Sequence, residues 1–79
     1  MDKDQQEHKK FLERQLQWSR EQARILEEID MHLHEMKEIA EYAVNHELTL
    51  GEVETLNGQL NELKDVIHSL EQQLQPVIH

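Results

Sequence analysis

Cysteine is absent from the 79-residue chain, and with it go disulfides, thiolate metal sites and thiol catalysis. Only His, Asp and Glu remain as metal donors. Breakers are scarce, with two glycines and one proline, and Trp, Tyr and Phe occur once each. A chain so poor in turn and strand formers, with 32% charged residues and much Glu, Gln and Leu, composes helices rather than strands. No apolar run approaches the roughly 20 residues that cross a bilayer, and the opening "MDKDQQEHKK" is polar where a signal peptide is apolar. The expectation is a soluble, cytoplasmic protein with no membrane partner. Basic residues are also few: 8 Lys and Arg stand against 17 Asp and Glu, a net charge of −9, which disfavours nucleic acid as a partner.

What basic charge there is lies at one end. Residues 1–24 hold Lys3, Lys9, Lys10, Arg14, Arg20 and Arg24 against five acids, whereas residues 25–79 hold only Lys37 and Lys64 against twelve. Such asymmetry orients partners.

The apolar residues that are present follow a seven-residue period. From Val53 onward one row is Val53, Leu60, Ile67 and Leu74, and the other is Leu56, Leu63, Leu70 and Val77, with Val66 widening the stripe. Two such rows form a knobs-into-holes seam and require a second helix to lie against. The first half repeats the period over a wider face, with Leu26, Leu33 and Ala40 in one row and Ile29, Met36 and Ala43 in the other, bordered by Ile25, Ile39 and Val44. A face of about three positions in seven suits a helix that touches two neighbours in a bundle. Toward the N-terminus Gln15, Ser19 and Gln22 occupy inward sites, either as a wet end of the seam or as a polar layer that sets register.

Between the halves lies "NHELTLGEVETLNGQL". Thr49-Leu50-Gly51-Glu52 matches the Ser/Thr-x-x-Glu capping box, flanked by Leu48 and Val53 at the positions of a hydrophobic staple. Asn45 is suited to a left-handed helix end. The chain is therefore expected to be one all-α domain over 1–79: a helix over about 3–44, a turn at 45–49 and a helix over about 50–75, stopped by Pro76. Folding it there as an antiparallel two-helix coiled-coil hairpin pairs Ala43 with Val53, Ala40 with Leu56, Met36 with Leu60, Leu33 with Leu63, Ile29 with Ile67 and Leu26 with Leu70. The first helix overhangs the second, carrying Phe11, Leu12, Leu16 and Trp18 among Lys9, Lys10 and Arg14. A small chain without disulfides and with one face uncovered is expected to dimerise into a four-helix bundle.

Chemistry is sparse. Asp30, His34 and Glu38 at i, i+4 and i+8 share one helix face and form the one candidate metal set, while Glu38 stands where the His-Glu-x-x-His motif needs its second histidine. That face is opposite the expected seam and reads as solvated. His32 borders the seam between Ile25 and Ile39, and His8, His46, His68 and His79 have no evident companions. No glycine-rich phosphate loop occurs, and no Ser or Thr has a base at nucleophile spacing. No catalytic residue and no cofactor is expected. Trp18 and Phe11 among Lys and Arg read as packing residues, because Glu7, Glu13 and Glu21 interrupt the basic face.

The layout of helix, "ELT" and helix, with "VETLNGQLNEL", resembles the small sporulation-type aspartyl-phosphatase hairpins over residues 25–67. Their second helix bears Ser-Gln-Glu-Leu-Asp, where this chain has Asn57, Gly58, Gln59, Leu60 and Asn61. Only Leu60 is identical and Asn61 replaces the functional acid, so the resemblance implies a hairpin that docks on a signalling protein without phosphatase chemistry. The leading expectation is a non-enzymatic, dimeric protein-interaction or regulatory hairpin. Its interface residues are Phe11, Leu12, Leu16, Trp18, Ile25 and Ile39, and the overhang is the surface for a protein partner. A His/Asp/Glu metal-binding role is the alternative.

Overall fold

A computed structural model describes residues 2–74. It contains α1 over Lys3–Asn45 and α2 over Leu50–Gln73, which pack against each other, and no strand among the described residues. The stop signal at Pro76, the last seam site at Val77 and His79 lie outside those residues. The principal extents are 70 × 19 × 18 Å. The long dimension is set by α1, whose 43 residues rise about 65 Å, while the 24 of α2 rise about 36 Å. The first helix therefore extends well past the second.

Both helix starts are held by local side chains. Asp2 precedes α1 and its Oδ1 accepts from the Asp4 amide at 2.8 Å, satisfying one of the free donors of the first turn. The capping box at α2 is complete: the Glu52 amide donates to Thr49 Oγ1 at 3.2 Å, and the Thr49 amide donates to Glu52 Oε1 at 3.3 Å. Thr49 Oγ1–H also donates to Glu52 Oε1 at 3.0 Å. Leu48, before the cap, is half-buried, and Val53 is at the margin of exposure.

The end of α1 differs from expectation. Asn45 stays helical, no described residue has a positive φ, and the chain leaves the helix at His46 in an extended conformation, φ −131° and ψ 146°. His46 supplies the reason. Its ring stacks on Tyr42 with centroids 3.9 Å apart, and Nδ1 lies 2.8 Å from the Tyr42 carbonyl oxygen. A carbonyl only accepts, so Nδ1 carries the proton and satisfies one of the open carbonyls of the last turn. A side chain thus caps the helix where a left-handed Asn45 was expected. The second helix also ends at Gln73 rather than near Gln75, with the Leu74 amide donating to the Glu71 carbonyl at 3.1 Å.

The seam on α2 follows its period from Leu56 onward: Leu56, Leu60, Leu63 and Leu74 are half-buried and Ile67 and Leu70 are buried, while Val53, expected to open the seam opposite Ala43, is exposed. On α1 the structure corrects one of the two rows. Ile29, Met36 and Ala43 are half-buried as expected, but their companions are Trp18, Ile25, His32 and Ile39, with Ile25 buried. Leu26, Leu33 and Ala40, assigned to the seam from the sequence, are exposed, and their expected pairings with Leu70, Leu63 and Leu56 fall with them. The helix is rotated by one heptad position, about 50°. The rotated row presents Ile25, His32 and Ile39 to α2, whereas the displaced row would present two leucines and Ala40. Burying the bulkier row removes more apolar surface from water.

Candidate functional site

The rotation makes α1 two-sided. One edge of its apolar face is spent on α2. The other carries Leu12, Leu16, Leu26 and Leu33, each between 50% and 54% exposed, with Val44 at 84%. Ser19, Ala23 and Ala40 are exposed between them. Counted from the N-terminus, this second stripe runs 12, 16, 19, 23, 26, 30, 33, 37, 40 and 44, the alternating four-and-three spacing of a coiled-coil seam. Asp30 and Lys37 are its charged members.

Of the residues assigned to an interface from the sequence, Phe11, Leu12 and Leu16 stand about half exposed on the overhang, as expected of a segment the hairpin does not cover. Trp18 is half-buried, so its exposure was overstated. Ile25 is buried and Ile39 half-buried in the seam with α2, which makes them internal to the hairpin. Gln22 is half-buried, and Gln15 and Ser19 are exposed.

Between the helices the surface carries shallow grooves. The larger, about 650 Å³, has a floor of Ile39, Leu56, Leu63 and Val66 and a rim that includes Glu35, Glu38 and Glu62, with Tyr42 at one end. A second, of about 440 Å³, opens beside Leu33, Met36 and Ile67. Neither gathers a nucleophile with a base.

The candidate metal residues lie on the exposed side of α1. His34 Nε2 stands 3.1 Å from Glu38 Oε1, so these two meet, and Asp30 does not join them: among the described residues no three His, Asp or Glu side chains gather where they could hold one ion. Other contacts of this kind run along α1 at i+4, Lys9 with Glu13 at 4.0 Å, Arg24 with Glu28 at 3.4 Å and Lys37 with Glu41 at 3.8 Å, all largely exposed. Pairs of this sort contribute a few tenths of a kcal/mol each.

His32 is a polar residue at the middle of the seam, as Gln22 is at its end. The His32 side chain is 21% exposed and its Nδ1 is buried without a hydrogen bond, with Glu35 Oε1 3.3 Å away. Reading His32 as a border residue missed this, although its spacing of seven from both Ile25 and Ile39 was the available signal. Two histidines without evident companions in the sequence prove to have them: His46 with Tyr42, and His68, whose Nε2 lies 3.3 Å from Gln72 Nε2.

Among the described residues no helix is long and apolar enough to cross a membrane. No protein-family model matches the chain, and no curated protein or solved structure does.

Proposed function

We propose that the chain is a non-enzymatic helical-hairpin module for protein interaction or regulation that works as a homodimer closing into a helical bundle, four helices deep at its centre. One observation carries the reading. Among the described residues only Ile25, Ile67 and Leu70 are buried, while α1 holds a continuous heptad stripe half open to water. Two helices that bury so little are completed by a further helix surface, and a twofold copy is the commonest source of one. The overhang exposes Phe11, Leu12 and Leu16 among basic side chains, and the second copy is the first partner this surface meets. Sedimentation equilibrium at micromolar concentration tests this directly. The expected mass is twice the 9.5 kDa of one chain, and a compact monomer overturns the dimer.

A further inference from the structure

From the second stripe of α1 we infer the dimer's geometry, an inference that rests on the dimeric reading above: two copies pack α1 against α1 in antiparallel fashion, with facing residue numbers that sum to 56. In this register Leu12 meets Val44, Leu16 meets Ala40 and Ala23 meets Leu33 of the other copy. Each leucine finds a smaller residue across from it, the alternation by which facing layers interdigitate. Toward the axis, Ser19 meets Lys37 and Leu26 meets Asp30. The ten positions of the stripe are thus used once each, and the contact is isologous, as a twofold axis requires.

Charge selects this orientation over the parallel one. An in-register parallel pair sets Asp30 on Asp30 and Lys37 on Lys37, like charges at seam sites that oppose association. The antiparallel register parts the two Lys37 by about 27 Å along the axis and staggers the two Asp30 into adjacent layers, each opposite Leu26. It also runs residues 12–24 of one chain, with Arg14, Arg20 and Arg24, alongside residues 32–44 of the other, with Glu35, Glu38 and Glu41. Arg14, Glu38 and Glu41 are all exposed in the single chain. The stripe from Leu12 to Val44 spans about 48 Å, and at a helix width of about 11 Å its footprint is roughly 500 Å² per copy. Two footprints reach roughly 1,000 Å², the lower bound of a specific interface. The groove beside Leu33, Met36 and Ile67 opens on this same side and extends the surface.

Because the chain has no cysteine, engineered thiols report the register without interference. Leu16→Cys and Ala40→Cys chains, mixed and oxidised, are expected to give a disulfide-linked heterodimer. Neither is expected to cross-link alone, because two Leu16 sites lie about 36 Å apart in this register, far beyond disulfide reach. Leu12→Cys with Val44→Cys repeats the test at an independent layer, and circular dichroism checks that each chain keeps its helices. Cross-linking of Leu16→Cys to itself overturns the antiparallel arrangement. A sedimenting dimer that cross-links at neither pair overturns this face while leaving the dimer intact. A monomer removes the dimer and the interface together.

Discussion

The two helices of the hairpin use the same heptad period to different ends. In α2 the apolar rows Leu56, Leu63, Leu70 and Leu60, Ile67, Leu74 all turn toward α1, and the opposite side is polar. In α1 the apolar face is about twice as wide, and only the half with Ile25, Ile29, Met36 and Ile39 is covered by α2. A helix with one seam needs one neighbour; a helix with two seams needs two. The hairpin covers both main rows of α2, leaving Leu50, Val53 and Val66 exposed, and covers α1 by half. What the chain does with the remaining half is its functional question.

The contrast is sharpest between adjacent residues. Ile25→Ala removes a buried side chain from the covered seam and is expected to cost about 2–4 kcal/mol in urea unfolding at every protein concentration. Leu26→Ala acts on the open stripe, so its cost is expected only where chains associate and to vanish on dilution. Equal, concentration-independent losses at both positions would break the distinction between the two seams.

A smaller effect tests the weak point of the covered seam. His32 places a buried ring nitrogen without a hydrogen bond between Ile25 and Ile39, and such a group costs more than an apolar side chain of similar shape. His32→Leu is expected to stabilise the hairpin by about 1–2 kcal/mol, read as a raised denaturation midpoint with an unchanged slope. A loss of stability instead would show that the histidine's polar contacts outweigh its burial.

The smallest expected effect lies on the polar side of α2. A Cβ added at Gly58 meets nothing within 4 Å, and the position faces away from α1. Gly58→Ala is expected to gain up to about 1 kcal/mol from helix propensity alone. If it weakens the protein, the outer side of α2 touches something in the assembled state, and α2 is not the one-sided helix described above.

How far the sequence could be read follows from the range of the interactions involved. The capping box at Thr49 and Glu52 is a contact over three residues, visible as a spelling, and the structure forms it with both hydrogen bonds in place. The seam of α2 was equally plain, because apolar residues occupy two rows and no others compete apart from Val66. The helix end at His46 was not, since stacking on Tyr42 and a ring-to-carbonyl bond have no spelling as distinctive as a glycine stop. Within the candidate site, Phe11, Leu12 and Leu16 were placed as an uncovered end, while Trp18 and Ile25 moved to the inside. The metal trio shows the same limit: spacing put Asp30, His34 and Glu38 on one face, but rotamers join only His34 to Glu38.

The sequence by itself determined that there are two helices, where the chain turns between them, and that α1 is apolar over more of its circumference than α2. Those properties come from propensity, capping and period, which act within a few residues. Only the tertiary structure decided which part of the wide face turned inward. Rotating a helix about its axis breaks none of its own hydrogen bonds, so its orientation is set by the surface it packs against. Against α2, the row with Ile25 and Ile39 took the inside, and Leu26 and Leu33 were left facing outward.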